Sequence, residues 1–219
     1  MRGAAIDLEA LASLARREGL PLPPPAVAPL AAYLETLCQW NAAMNLVGPR
    51  RWEDIFTGLV ADSLRLAPFL DALPLPAVPL CWDLGAGAGL PGIPLRLVWT
   101  RGVYWLVEAR EKRAIFLSAM LARLGLPDTH VHRGRAEAFF ACQERPADLI
   151  LSRAFMPWRR LLQFARPALA ANGLLVILAA APAPPTLPGP WRLTALQAYA
   201  AAGARRWFWA LAPRGDAAA

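Results

Sequence analysis

Apolar positions along this chain change their period near residue 80. Before it they recur at helical spacing. Ile6, Leu8, Leu11, Leu14 and Ala15 predict a helix over Ile6–Arg17, with Asp7 near its start and Gly19 past its end. Pro21–Pro25 reads as a stiff break. A second helix is expected over Val27–Leu46, with Leu30, Leu34, Leu37 and Trp40 on or near one stripe, and a third over Trp52–Leu70. Residues 71–79 hold three prolines and read as a linker. Beyond them, short apolar runs alternate with helical patterns. The strand candidates are Leu80–Leu84, Val103–Glu108, His130–His132 with its flanks, Asp148–Ser152, Gly173–Leu178 and Arg205–Ala212. Helices are expected over Ile93–Trp99, Lys112–Leu124, shortly after Arg135, and over Trp158–Ala170, with Asn172-Gly173 as a helix-to-strand turn. That alternation predicts an α/β fold: a mostly parallel sheet of about seven strands with helices on both faces, behind an N-terminal helical segment. The expected division is a helical segment over 1–72 and a ligand-binding domain over 73–219.

The richest stretch is Cys81–Pro94, where an apolar run ends in Asp83 and glycines follow at positions 85, 87, 89 and 92. Strand, glycine turn and helix open a nucleotide-binding βαβ unit. Read as Gly87-x-Gly89-x-x-Gly92, the turn matches a dinucleotide fingerprint. Read as Asp83-x-Gly85-x-Gly87-x-Gly89, it matches the first motif of S-adenosylmethionine (AdoMet) methyltransferases. Glu108, 21 residues past Gly87, stands where either reading places an acid on a ribose. In a doubly wound sheet the loops after strands one to four open on one edge. Those loops carry Gly85–Gly92, Glu108, Gly134–Glu137 and Ser152–Phe155.

Composition narrows the partner. The net charge is +7 with a pI near 10.3, and all but one of the 23 basic residues are arginine, Lys112 being the exception. The excess of base over acid fits a polyanion such as RNA. Mean hydropathy is +0.34, yet Leu174–Ala181 is too short to span a bilayer and reads as a buried central strand. Asp7 and Glu9 in the first helix argue against a signal peptide. Cys38, Cys81 and Cys142 lie far apart, in neither a disulfide framework nor a zinc spacing. No metal and no membrane are expected, and the cytoplasm is the expected compartment.

The motifs together resemble the bacterial 16S rRNA (guanine-N7)-methyltransferase family, small-subunit methyltransferase G or glucose-inhibited division protein B. The resemblance runs from about Tyr33 to Leu178. It rests on Trp40-Asn41 with Asn45-Leu46, Asp62-Ser63-Leu64, Asp83–Pro94, Lys112-Arg113 with Phe116-Leu117, Gly134–Glu137 and Ser152-Arg153-Ala154. It implies a class I AdoMet-dependent methyltransferase acting on guanine 527, in the 530 loop of 16S rRNA, as naked RNA or within the small subunit. A monomer is expected. By the same resemblance the cofactor residues are Asp83, Gly85, Gly87, Gly89, Leu90, Glu108, Ala136, Glu137 and Arg153, with Arg153 also the catalytic candidate. Substrate candidates are Asn41, Asn45, Lys112, Arg113 and Phe155.

Read without the family, Leu90 fits a core leucine, Glu137 an acid on a helix dipole, and the asparagines helix caps. The chain departs from the family pattern at Leu59, Val47 and Ala179–Ala181, where histidine, threonine and Lys-Gly are usual. Two other classes remain open. One is a different enzyme on the same fold, either a small-molecule methyltransferase or an NAD oxidoreductase. The other is an RNA-binding assembly factor without catalysis.

Overall fold

The structure, a computed structural model, describes residues 5–214. The outer ends of both expected segments, 1–4 and 215–219, lie outside the described residues. Seven strands form one sheet: β1 (Leu80–Leu84), β2 (Val103–Glu108), β3 (Thr129–Arg133), β4 (Ala147–Arg153), β5 (Leu169–Ala179), β6 (Trp191–Ala201) and β7 (Ala204–Pro213). Their order is β3-β2-β1-β4-β5-β7-β6. The first five run parallel, while β7 pairs antiparallel with both β5 and β6. The order reverses between β1 and β4, and the carboxyl ends of those two strands flank the crevice such a reversal creates.

Five helices precede or alternate with the first strands. They are α1 (Leu8–Arg17), α2 (Pro24–Met44), α3 (Trp52–Ile55), α4 (Ala61–Asp71) and α5 (Gly92–Arg96). Three more follow: α6 (Glu111–Leu124), α7 (Ala136–Ala141) and α8 (Trp158–Ala165). One apolar cluster joins Leu11, Leu30 and Leu34 of α1 and α2 to Leu106, Leu149 and Val176 on one face of the sheet. Trp82, Ile150, Phe139 and Leu161 belong to a second cluster that α7 and α8 share with the sheet.

Several expectations about elements change. Pro24 and Pro25 open α2 rather than break the chain, since proline lacks an N–H that a first turn leaves unpaired anyway. The expected helix over Trp52–Leu70 is interrupted by a π turn at Phe56–Val60, which separates α3 from α4. The helix expected over Trp158–Ala170 stops at Ala165, and a 3₁₀ turn containing Pro167 follows. Asn172-Gly173 therefore lies inside β5, where the pairing with β4 slips; a Cβ on Gly173 would stand 2.8 Å from the Ala147 carbonyl. Finally, β6 has no counterpart among the six expected strands. Its alanine-rich sequence gives little alternation, and its Leu193 and Leu196 are exposed on an edge strand.

Candidate active site

The four loops expected at one edge meet there. A cleft of about 230 Å³ is lined by Gly85, Val107, Glu108, Arg110, Arg113 and Ala136, closed by Ala154 and Phe155. Gly85 and Gly87 have φ of +72° and +60°, a region that favours glycine. A Cβ on Gly85 would come within 2.6 Å of Phe155, so the ring leans on bare backbone. Glu108, at the end of β2, is buried. It accepts from the Gly87 N–H at 2.9 Å and from the Arg110 N–H at 2.8 Å. The Tyr33 hydroxyl donates to the Ala88 carbonyl at 2.8 Å and ties α2 to the glycine loop. A carboxylate beside apolar walls and open backbone suits a nucleoside, with hydroxyls for Glu108 and a flat ring for Val107 and Ala136. The residues present therefore fit the cofactor the motif implies.

Four other expected cofactor residues, Asp83, Gly89, Leu90 and Glu137, are not among those lining the cleft. Leu90 is packed in the core. Glu137 is exposed in the first turn of α7. Gly89 sits with its α-carbon against Ile93 and Leu117. Asp83 is buried, its Oδ2 accepting from the Gly92 N–H at 3.1 Å and the Tyr104 hydroxyl at 3.3 Å, while Oδ1 has no partner. Burial lifts its pKa to about 7 against the pull of those two hydrogen bonds.

An acid raised in this way binds more protons folded than unfolded. Its contribution to stability is present below the ordinary Asp range and lost as pH rises to about 7. Asp83→Asn is accordingly expected to gain stability relative to the unaltered protein as pH rises from about 4 to about 7, and no further above that. Thermal unfolding of both proteins across that range checks it, and a constant gap in Tm would place the proton elsewhere.

Arg153, the catalytic candidate, ends β4 and is engaged by the protein's own groups. Its guanidinium donates to the Leu59 carbonyl at 3.1 Å, within the π turn, and its NH2 lies 3.2 Å from Asp62 Oδ2. Arg206 of β7 reaches the same oxygen at 2.9 Å. Asp62 is 1% exposed. Burial raises its pKa against the opposing fields of Arg153 and Arg206, and burial lowers that of Arg153. The cluster binds the helical segment to the sheet edge. It also forms one wall of a second cavity of about 630 Å³, lined by Met156, Trp158, Leu178, Pro182 and Tyr199 among others. Ala154 lines both this cavity and the cleft, so the two adjoin at the end of β4. Ala179–Ala181, where the family pattern has Lys-Gly, make part of its apolar wall.

The asparagines do not reach this place. Asn41 is buried, donating to the Pro49 carbonyl and accepting from the Val47 N–H, both at 2.9 Å. Asn45 caps α2 with φ of +48° and accepts from Arg50 at 2.7 Å. They shape the loop after α2, Asn41 from inside and Asn45 from an exposed position. Lys112 is exposed in the first turn of α6, and Arg113 stands beside Gly87 on the cleft wall. Arg206 and Tyr199 were not among the expected residues. Both come from the hairpin whose first strand the pattern missed.

Comparison with known proteins agrees with this geometry. Residues 27–183 match the model of the family described as GidB, rRNA small subunit methyltransferase G. The ribosomal RNA small subunit methyltransferase G of Nitratidesulfovibrio vulgaris is 52% identical over 208 residues, 95% of each chain. That of Lawsonia intracellularis is 47% identical, covering 83% of this chain and 84% of its own. Among solved structures, a putative methyltransferase, yhhF, from Escherichia coli superposes with a TM-score of 0.54 at 21% identity, over 71% of this chain and 88% of its own. A point mutant of MtNAS in complex with S-adenosylmethionine gives 0.60 at 16% identity, over 97% and 86%. These two share the fold, a Rossmann-like sheet with parallel and antiparallel strands and flanking helices. With the family model matched across both the glycine loop and the end of β4, the chain belongs to the rRNA small subunit methyltransferase G family.

Proposed function

We infer that this chain transfers a methyl group from AdoMet to N7 of a guanine in 16S rRNA, guanine 527 of the 530 loop. The observation that carries the reading is the pair of adjoining cavities at the sheet's switch point, one with a nucleoside's partners and one with an arginine and aromatic walls. AdoMet supplies an electrophilic methyl on sulfur, which the N7 lone pair takes in one displacement with no proton to remove. The protein's task is then alignment and exclusion of water.

In this reading residues 73–219 are the AdoMet-binding domain, and the helical segment 1–72 positions the arginine that meets the base. Glu108 takes the ribose hydroxyls. Gly87 leaves bare backbone open to the cofactor, Gly85 lets the Phe155 ring close the cleft beside it, and Ala136 borders the adenine. Asp83, Gly89 and Leu90 fix the loop, while Glu137 sets the start of α7. Asn41 and Asn45 act through the shape of the loop after α2. Arg153, oriented by Asp62 and the Leu59 carbonyl, meets guanine O6 and leaves N7 uncovered. Trp158 offers a ring to the base, while Phe155, the other aromatic at the end of β4, closes the cofactor cleft beside it. Lys112 and Arg113 face phosphate. The protein works as a cytoplasmic monomer on rRNA, free or within the small subunit.

The test is transfer of labelled methyl to small subunits and to naked 16S rRNA, followed by strand scission at N7-methylguanine. One modified position, in the 530 loop, is expected. Label on another atom or nucleotide, or no label on either substrate, would overturn the assignment.

A further inference from the structure

The positive charge of this chain is concentrated in one part of it. Residues 149–214 contain eight arginines and no aspartate, glutamate or lysine, enough to account for the whole net charge of +7. Arg153 and Arg206 are engaged by Asp62. Three of the rest line up on α8. Its apolar side, Leu161, Leu162 and Ala165, is buried in the sheet, which leaves Arg159, Arg160, Gln163 and Arg166 exposed around the turn and just beyond. Arg159 lies over the Trp158 ring, 4.5 Å from its centroid.

A groove of about 330 Å³ runs between this side of α8 and Pro188–Trp191, lined by Arg159, Gln163 and Arg166. Trp158, the residue before Arg159, lines the larger cavity together with Pro182 and Pro184. Among the described residues, no carboxylate lines either stretch except the buried Asp62. Asp148, near the start of β4, is already paired with Arg145 at 2.9 Å.

We propose that the single-stranded rRNA flanking the target guanine docks on this side of α8, its phosphates taken by Arg159 at the groove and by Arg160, exposed beside it. This rests on the reading of the larger cavity as the base site. A groove free of acid, next along α8 from the cavity read as the base site, is complementary to a strand whose one nucleotide is turned in. The stacked Trp158–Arg159 pair adds an aromatic edge and a cation at the point where the strand would turn. Lysine-free arginine clusters suit phosphate because the planar guanidinium donates two parallel hydrogen bonds.

The test compares Arg159→Ala/Arg160→Ala with a control of equal charge change, Arg16→Ala/Arg17→Ala at the end of α1. That helix packs into the apolar cluster on the other face of the sheet. Binding to 16S rRNA and to small subunits is measured without AdoMet across a range of salt, with circular dichroism for folding and calorimetry for AdoMet. For the α8 pair, affinity is expected to fall about tenfold at 0.1 M salt, and the slope of log K against log salt to shrink by about 2. AdoMet affinity should be unchanged and the α1 pair should bind as the unaltered protein does. Equal losses in the two pairs would overturn the proposal by showing bulk charge rather than this surface, and so would an unchanged affinity and slope in the α8 pair. A preference of the α8 surface for acidic vesicles or acidic peptides over rRNA would also overturn it. Failure of the unaltered protein to methylate rRNA would instead strike the functional reading, since the binding measurement needs no methyl transfer.

Discussion

Asp62→Ala is expected to be the most destabilising single substitution at the sheet edge. The carboxylate is buried and takes Arg153 at 3.2 Å and Arg206 at 2.9 Å on one oxygen. Removing it leaves two guanidiniums facing each other, with side-chain exposures of 15% and 29%. Breaking a buried pair from one side costs about 3–5 kcal/mol, because the remaining charge is stranded. For a chain of this size that is about 6–20 °C in Tm. Arg153→Ala should cost less, since Asp62 keeps Arg206, and Arg206→Ala less again, being the more exposed partner. In the double variant Asp62→Ala/Arg153→Ala part of the loss should return, as only Arg206 is then unpaired and it can reach water. Thermal and urea unfolding of the four proteins give the order. Equal, small losses at all three positions would show that the cluster is hydrated and contributes little. Methyl transfer by any Arg153 variant has to be read against this loss of stability, because the arginine that meets the base is also a bolt between the helical segment and the sheet.

The parallel half of the fold was legible in the chain because its strands, apart from the polar Thr129–Arg133, are largely apolar runs. Leu80–Leu84 and Val103–Glu108 have the same bounds in sequence and structure. The antiparallel edge was not. β6 reads Trp-Arg-Leu-Thr-Ala-Leu-Gln-Ala-Tyr-Ala-Ala, in which neither a period of 2 nor one of 3.6 stands out, and its place is set by pairing with β7. The π turn at Phe56–Val60 was equally hidden, since an i→i+5 turn has no local composition of its own.

The site divides in the same way. Gly85, Glu108 and Ala136 follow from strand ends and motif spacing, and the cleft collects them. The partners of Arg153 do not follow, because Asp62 and Arg206 are 144 residues apart and meet only through the sheet. Arg96 makes the point outside the site. It is fully buried without a carboxylate. It donates instead to Thr129 and to the carbonyls of Trp99, Arg101, Gly102 and Pro127, a set that no sequence pattern announces.

Glu108→Ala is expected to remove most of the affinity for AdoMet while leaving the fold standing. Each oxygen of the carboxylate already accepts one backbone N–H, Gly87 on Oε2 and Arg110 on Oε1, and each has a lone pair left for a hydroxyl. Alanine takes away both braces of the glycine loop and the ribose acceptor together. Hydrogen bonds to a charged group are worth about 1.5–3 kcal/mol each, so losing two gives a fall of at least about a hundredfold in affinity. The freed N–H groups lie at the mouth of an open cleft and can turn to water, so Tm should move far less than for Asp62→Ala. Glu108→Gln is the sharper probe. Its amide nitrogen is a donor and must face one of two N–H donors, so one brace breaks while the shape is kept. An intermediate loss is expected, about tenfold, the equivalent of one weakened contact. Calorimetry with AdoMet and with the demethylated product measures binding apart from transfer. At saturating AdoMet, turnover by Glu108→Gln should recover toward that of the unaltered enzyme with KM still raised. A Glu108→Ala protein that binds AdoMet as tightly as the unaltered chain would take Glu108 off the cofactor and leave it as a brace of the loop alone.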